Sequence, residues 1–372
     1  MEGEPASATL FQRSVRIQNV QALRGIAAVL VVGAHLPEME RKFTGSSFVG
    51  WFDPIGSWGV DLFFVISGFV MLTSTWNFFA APNASGIFFL RRVTRIFPIY
   101  WLVLIPLAAI DLIAPSLING SQTIRPSIAA SFLLLPQQGK PLLTVSWTLV
   151  YEMYFYYIYT FLITRPRRYL FAGLGTWIAL TLLIHAIFPH PTNANIFFLS
   201  NTITIEFLLG AAIAHWCKSG RPMPFAWAAI ALGGIAIFID GLTYVNLDKA
   251  LNFGGEARFF LIGVPMTAIF YGVVSLELEK NLTLPTAIVA LGDASYSLYL
   301  WHVPILISVG RLSTHLPLRY PAFHVAWLVA ITAFAVAMSV LLFRLIEMPM
   351  IDFFGKLIRS KTKRSPIPAV QR

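Results

Sequence analysis

Apolar residues form long runs along the whole chain, and short polar segments separate these runs. A run of about 17 to 25 mostly apolar residues is long enough to cross a membrane as a helix. Ten such runs lie near 20–37, 57–77, 96–114, 142–163, 169–188, 196–216, 225–240, 257–276, 286–309 and 322–346. The pattern therefore predicts an all-α fold, a polytopic membrane bundle of about ten transmembrane helices.

Basic residues are distributed unevenly between the two sides of this bundle. With the N-terminus inside, the cytoplasmic segments hold 18 Lys and Arg residues, the outer segments hold eight, and Arg344 lies within the last span. Cytoplasmic loops of membrane proteins carry the excess of Lys and Arg, so we expect both termini to be cytoplasmic. The same bias explains the formal net charge of +10, and no nucleic-acid partner is predicted.

Composition agrees with this reading. Hydrophobic residues make up 57% of the 372 residues and charged residues 12%, whereas soluble domains contain about 25% charged residues. The single cysteine, Cys217, excludes an intrachain disulfide and argues against a cysteine zinc cage. We expect one membrane domain over 17–350, between a cytoplasmic tail at 1–16 and a basic cytoplasmic tail at 351–372.

Two ionisable residues flank the first apolar run, in QALRGIAAVLVVGAH. An ionisable side chain within a span costs about 2.5–3.5 kcal/mol, so such residues are functional candidates. Arg24 and His35 are eleven residues apart, which is about 20° beyond three full helical turns and a rise of about 16.5 Å. One helix face then carries Arg24 at the cytoplasmic end and His35 towards the outer side. The alternative is an interfacial Arg and a His in the outer headgroup layer.

The second span, SWGVDLFFVISGFVM, places Asp61 near its outer end. The first two spans are antiparallel, so Asp61 is expected at a depth similar to that of His35. A carboxylate beside an imidazole selects its tautomer and supports it as a general base. The alternative is an aspartate that caps the start of the helix.

A basic cluster precedes the third span in FLRRVTRIFPIYW. Arg92 and Arg95 are neighbours at i and i+3 on a helix. Paired guanidinium groups suit a ligand that carries phosphates. The alternative is ordinary positive charge on a cytoplasmic loop.

Two further spans contain isolated ionisable residues. Glu152 lies near the middle of SWTLVYEMYFYYIYTF, and Ser146 and Tyr151 of this segment are further candidates to line a cavity. His302 lies in the outer half of GDASYSLYLWHVPIL and is expected to face the same cavity as His35. The alternatives are a satisfied core histidine at 302 and tyrosines that only pack.

Several motifs are missing from the sequence. No Walker loop, dinucleotide fingerprint, Gly-x-Ser-x-Gly elbow or metal-ligand spacing of histidines is present. No metal site is predicted. The polar residues within spans leave a membrane enzyme open, or a proton-coupled secondary transporter of a small polar solute in which Glu152 and His35 relay protons. A third class, a non-enzymatic scaffold or lipid-binding protein, is disfavoured by the number of ionisable groups in the spans. The transporter is disfavoured because no inverted repeat is evident.

Five segments in register, LRGIAAVLVVGAH, GVDLFFVISGFVM, RRVTRIFPIYW, SWTLVYEMYFY and DASYSLYLWHVPI, resemble the membrane-bound acyltransferase-3 family. The resemblance extends from about residue 17 to 350 and is nearest to the single-domain exopolysaccharide and O-antigen type of member. Arg24 and His35 match the family's paired Arg and His, and Arg92 and Arg95 match its Arg-x-x-Arg.

The resemblance implies an enzyme of the bacterial inner membrane that moves an acyl group, usually acetyl, from cytoplasmic acyl-CoA to a glycan hydroxyl. Arg24, Arg92 and Arg95 would bind the phosphates of acyl-CoA. His35, oriented by Asp61, would act as general base or transient acyl carrier, and Glu152 is the third catalytic candidate. Acetyl-CoA is then a co-substrate and no cofactor is bound. The implied partners are a glycan or lipid-linked saccharide, membrane lipid and polysaccharide-assembly proteins.

Overall fold

The computed structural model describes residues 16–45, 48–50, 52–115, 124–247, 256–316 and 321–361, and this part of the chain is helical without strands. The α-helices are α1 (Gln18–Thr44), α2 (Phe52–Thr75), α3 (Ala84–Ile113), α4 (Ile128–Leu133), α5 (Trp147–Ile163), α6 (Leu170–Ile187), α7 (Ala194–Leu199), α8 (Ile205–Lys218), α9 (Ala226–Leu247), α10 (Val264–Lys280), α11 (Thr286–Asp293), α12 (Ser295–Gly310), α13 (Pro321–Leu342) and α14 (Met348–Lys361). The predicted all-α fold is confirmed.

Within the described ranges, eight helices are long and apolar enough to cross a membrane. Two of the ten predicted spans are not among these eight. The run at 142–163 begins with a 3-10 turn at Thr144–Ser146 and continues as α5, which has 17 residues. The run at 286–309 is divided into α11 and α12, which meet at Ala294. The apolar pattern predicts the length of a span, but it does not predict an interruption of the helix within that span.

The chain divides into two compact units. The first comprises Met1–Ser74, Glu206–Phe343 and Val370–Arg372, and the second comprises Thr75–Ile205 and Arg344–Ala369. The first unit therefore contains α1, α2 and α8 to α13 apart from single end residues. The second contains α3 to α7 and α14, which extends the helical structure to Lys361, inside the segment expected to be a tail.

In the first unit, the start of α1 is held by a carboxylate from α10. The backbone N–H groups of Gln18 and Asn19 donate to Glu277 over 2.8 and 2.6 Å. The first N–H groups of a helix have no partner within the helix, and its positive end favours a negative charge. The Asn19 side chain also donates to the carbonyl groups of Val273 and Leu282. These bonds anchor the helix that carries Arg24 and His35.

Two pairs of glycines bring helix backbones of the first unit into contact. A Cβ atom at Gly25 would lie 2.8 Å from the Ile288 carbonyl oxygen, and one at Gly292 would overlap the carbonyl of Gln21. Gly68 and Gly210 likewise contact the backbones of α8 and α2. Small residues permit such close approach between membrane helices. As a result, α1 packs directly on α11, and α2 packs directly on α8.

The middle of α1 packs against α12 and α13 through apolar side chains. The shared core cluster consists of Ala28, Val32, Met39, Leu298, Ile305, Leu306, Leu328, Ile331 and Ala335. The break at Ala294 occurs beside α1, where Asp293 at the end of α11 forms an ion pair with Arg16. This packing places His35 of α1 beside His302 of α12.

In the second unit, α3 is joined to the segment before α5 by buried polar contacts. The Tyr100 hydroxyl donates to the Ser131 carbonyl over 2.6 Å and lies 3.3 Å from the Ser146 hydroxyl. Helix α14 packs on α3 in the same unit. These contacts position the arginines of α3 and the glutamate of α5.

Candidate active site

The two histidines singled out in the sequence are in contact. The rings of His35 and His302 meet edge to face, with centroids 4.9 Å apart and planes at 70°. His302 Nε2 lies 3.4 Å from His35 Nδ1. His302 has no exposed surface, whereas His35 is half-buried. The core that joins α1 to α12 therefore produces a pair in which one ring is sealed and the other is partly accessible.

Backbone carbonyl groups determine the tautomer of each ring. His35 Nδ1 lies 2.8 Å from the Val31 oxygen, and His302 Nδ1 lies 2.9 Å from the Leu298 oxygen. A carbonyl oxygen only accepts, so each Nδ1 carries the hydrogen when the ring is neutral, and each Nε2 carries a lone pair. His302 Nε2 then faces the Nδ1–H of His35 as an acceptor. His35 Nε2 is left as the basic nitrogen, which is the form a general base requires.

Asp61 has a different partner from the one expected. Its two carboxylate oxygens accept from Arg258, with Nε to Oδ1 at 3.1 Å and Nη2 to Oδ2 at 2.5 Å. Arg258 Nη2 also donates to the Ser57 carbonyl over 3.2 Å. Such a bidentate pair is among the strongest polar contacts in proteins. His302 contacts the His35 ring, whereas Asp61 is held by a buried guanidinium.

Arg258 is the residue that sequence reasoning missed. It was counted only as one basic residue of an outer segment, yet 5% of its surface is exposed. It ends the short helical turn Glu256–Arg258, directly before a π-helical turn at Phe259–Gly263. The one feature of the sequence that could have marked Arg258 is its position at the edge of an apolar run. Its pairing with Asp61 could not be predicted, because 197 positions separate the two residues.

Arg24 and His35 share one helix. Helix α1 is continuous from Gln18 to Thr44, so the spacing that predicts a common face applies. Arg24 is half-buried, and its Nη1 donates to the Gln21 side chain over 3.2 Å. The polar face that runs from Arg24 to His35 is thus part of one rigid element.

The second unit contains its own polar cluster, between α3 and α5. The Tyr156 hydroxyl donates to Glu152. The Arg92 guanidinium lies 5.8 Å from the centre of the Tyr156 ring and 5.3 Å from that of Phe88. Arg92 is also within electrostatic reach of Glu152 and Arg95. The structure therefore brings three predicted site residues, Arg92, Arg95 and Glu152, into one neighbourhood around Tyr156.

Two candidate cavity-lining residues lie in the packed interior of this unit. Tyr151 is 4% exposed, its hydroxyl accepts from Asn201 over 2.9 Å, and its ring stacks on Phe198 with centroids 4.4 Å apart. Ser146 is fully buried against Tyr100. Their observed contacts are those of side chains that hold α5 in place.

The described residues contain no group of three or more His, Cys, Asp or Glu side chains that is arranged to hold a metal ion. The first unit supplies a basic imidazole nitrogen, a buried imidazole in contact with it, and Arg24. The second unit, taken by itself, supplies Arg92 and Arg95. Such a set of residues suits acid–base chemistry on a hydroxyl group and recognition of an anionic ligand.

The chain belongs to the acyltransferase-3 family. A family model described as an acyltransferase domain matches residues 17–344, which confirms the resemblance drawn from the five sequence segments. With its long apolar helices, the protein is a multi-pass membrane acyltransferase that transfers groups other than aminoacyl groups.

Two relatives illustrate this membership. The exopolysaccharide production protein ExoZ of Rhizobium meliloti (strain 1021) is 30% identical over 305 residues, 78% of this chain and 89% of ExoZ. The O-acetyltransferase OatA of Staphylococcus aureus (strain NCTC 8325 / PS 47) is 25% identical over 324 residues, 77% of this chain. The matched region is only 50% of OatA. No solved structure matches the chain.

Proposed function

We propose that the protein is an O-acetyltransferase of the bacterial inner membrane, which moves an acetyl group from cytoplasmic acetyl-CoA to a hydroxyl of an extracytoplasmic or lipid-linked glycan. The proposal is supported by the names of its relatives, one an exopolysaccharide production protein and the other an O-acetyltransferase. It includes cytoplasmic termini, in line with the excess of Lys and Arg on that side.

The observation that carries the proposal is the orientation of His35 by His302 and Val31. With its Nδ1–H directed to these acceptors, His35 presents Nε2 as a base. It takes the proton of the acceptor hydroxyl while that oxygen attacks the thioester carbonyl carbon. The carbon–sulfur bond then breaks, and the departing thiolate receives the proton from Nε2. General-base catalysis of this kind contributes about 10²–10⁴-fold to rate.

His302 strengthens this base in two ways. The Nε2 atom of His302 accepts a hydrogen bond from His35 Nδ1–H. This bond holds the His35 ring in position while His35 Nε2 acts as the base. When His35 becomes an imidazolium, the same hydrogen bond gains a charged donor, and hydrogen bonds of charged groups are roughly twice as strong as neutral ones. In this proposal His302 takes the orienting role that the sequence suggested for Asp61.

Arginines supply the anionic contacts of acyl-CoA. Arg24 on α1 and Arg95 on α3 are each a candidate ligand for a phosphate of acyl-CoA. Arg92 is assigned a double role, because it lies beside Tyr156 and within electrostatic reach of Glu152. It offsets the charge of Glu152 as well as contributing to phosphate binding. Glu152 is proposed to hold Arg92 and Tyr156 in place.

The test is transfer of labelled acetyl from acetyl-CoA to a glycan-lipid extract by the purified protein in vesicles. Wild type, His35→Ala and His190→Ala are compared, since His190 is an exposed histidine between α6 and α7. We expect label on the glycan with wild type and His190→Ala, and at least about a hundredfold less with His35→Ala.

Each result has a definite meaning. Near-normal transfer by folded His35→Ala would overturn the role of His35. Label that stays on wild-type protein without acceptor, and is lost in His35→Ala, would replace the general base by an acyl-imidazole intermediate. Failure of wild type to consume acetyl-CoA would refute the proposed donor.

A further inference from the structure

Four charged residues are buried together in the first unit, apart from the histidine pair. They are Asp61 on α2, Glu206 on α8, Asp240 on α9 and Arg258, with exposed fractions of 0%, 0%, 5% and 5%. Three carboxyl groups thus share one guanidinium. Neither Glu206 nor Asp240 is among the candidate residues drawn from the sequence.

The hydrogen bonds within this cluster are incomplete. Asp61 uses both oxygens to bind Arg258. Both oxygens of Glu206 and Oδ2 of Asp240 receive no hydrogen bond from any described residue. The Glu206 carboxyl nevertheless lies close enough to the Asp61 carboxyl for the two groups to interact electrostatically. Two ionised carboxylates are both acceptors, so this contact has no donor unless one of them carries a proton.

The Glu206 carboxyl lies against the backbone of Gly263. A Cβ atom at Gly263 would lie 2.7 Å from Glu206 Oε1, so the carboxyl occupies the space that this glycine leaves. Gly263 ends the π-helical turn that follows Arg258, and π-helical turns are frequent at functional sites. On the other side, Gly68 and Gly210 hold α8 against α2, and the Phe64 and Phe207 rings are in contact at 4.9 Å.

The balance of buried charges also indicates that one carboxyl group of this cluster carries a proton. A buried ion pair is tolerated when it is well hydrogen-bonded, whereas an additional unpaired buried charge carries a large desolvation penalty. Asp61 and Arg258 form that pair. Among the described residues, a second carboxylate at Glu206 would face Asp61, and the cation within its reach is Arg258, which Asp61 already binds. One proton removes the excess charge and supplies the missing donor.

We propose that Glu206 and Asp61 form an acid–carboxylate pair that binds one proton inside the membrane domain, with Glu206 as the acid and Arg258 holding Asp61 ionised. The ligand of this site is a proton, and the site is separate from the histidines proposed for acyl transfer. The residues that hold this proton belong to α2, to α8 and to the turn before α10. Loss of the proton places two adjacent carboxylates against a single guanidinium, with Asp240 adding to the repulsion.

Infrared spectroscopy of the full-length protein in lipid nanodiscs tests the site directly. A protonated carboxylic acid has a C=O band that is separate from the bands of ionised carboxylates and shifts in D₂O. We expect this band in wild type and its loss in Glu206→Gln. Glu279→Gln serves as the matched control, because Glu279 is exposed and should leave the band unchanged.

A second variant tests the sharing of the proton. In Asp61→Asn, Arg258 loses its counter-ion, and Glu206 is a fully buried acid within electrostatic reach of Arg258 that can replace it. We therefore expect Glu206 to ionise and the acid band to disappear although Glu206 is present. A wild-type spectrum without the band, or a band that survives Glu206→Gln, would overturn the proposal.

Stability at alkaline pH provides an independent measurement. Wild type should lose thermal stability as the pH rises and the Glu206 proton is lost, whereas Glu206→Gln, which is neutral at every pH, should lose less. Equal alkaline losses for the two proteins would contradict a proton that links these helices. A stability that follows Na⁺ or K⁺ concentration rather than pH would replace the proton by a cation.

Discussion

Two polar groups of the first unit differ in their partners. His35 and His302 contact each other and the carbonyl groups of Val31 and Leu298. Asp61 is bound by both arms of a guanidinium and is fully buried. Asp61 is thus held in one orientation by a counter-ion. The contacts described for the half-buried His35 are instead with an imidazole and a carbonyl group.

This difference separates residues that were equivalent in the sequence. Arg24, His35, Asp61, Glu152 and His302 all qualified because each places an ionisable group in an apolar run. Their partners divide them: His35 and His302 suit proton transfer, whereas Asp61 is part of a charge network. Glu152 is intermediate, because a neutral tyrosine donates to it while Arg92 lies nearby.

The largest expected effect comes from breaking the ion pair. Replacing Arg258 by Met leaves Asp61 buried without a counter-ion, and removal of one partner of a buried pair costs about 3–5 kcal/mol. We expect a clear drop in the thermal unfolding temperature. The double variant Asp61→Asn with Arg258→Met should recover much of the loss. A double variant no more stable than Arg258→Met would show that the pair is not what stabilises this region.

A smaller effect is expected from the histidine pair, and it should fall on rate rather than stability. His302→Phe removes one of the two acceptors of His35 Nδ1–H and leaves the Val31 carbonyl; a hydrogen bond to a charged group contributes about 1.5–3 kcal/mol. We therefore expect kcat to fall roughly ten- to hundredfold, with KM for acetyl-CoA little changed. His302→Gln keeps an acceptor and should restore part of the rate. Equal rates for the two variants would reduce His302 to a packing role.

The two arginines of α3 distinguish a residue that only binds ligand from one that also balances a buried charge. Arg95→Ala should raise KM for acetyl-CoA about tenfold, the loss of roughly one charge-assisted contact. Arg92→Ala should raise KM and also lower the unfolding temperature, because Glu152 loses its nearby positive charge. An unchanged KM for Arg95→Ala would return that residue to a purely topological role.

The smallest expected effect concerns the space beside Glu206. Gly263→Ala brings a methyl group against Oε1 of Glu206, and overpacking of this kind costs about 1–3 kcal/mol. We expect a cost at the low end of this range, because the contacted atom is the tip of a side chain, which can shift. Gly175→Ala in α6 is the control, since a Cβ atom there meets open space. If both variants unfold at the same temperature, Glu206 is free to move.

Much of the fold was predictable because it depends on local information. Lipid requires long apolar helices, so the length of each apolar run predicted the all-α fold and the approximate position of most spans. The division of 286–309 was not predictable, because the break at Ala294 lies where α11 meets α1 and Asp293 binds Arg16. Nothing in the apolar pattern around Ala294 marks that contact.

For the site, the sequence by itself determined which residues were candidates, because an ionisable side chain in an apolar run carries a penalty wherever it lies. The spacing of Arg24 and His35 on one helix was equally local. Only the tertiary structure decided the partners: 267 positions separate His35 from His302, and 197 separate Asp61 from Arg258. Such pairings arise from helix packing, through glycine contacts and a shared apolar core, and it is the partner that makes one polar group a base and another a structural charge.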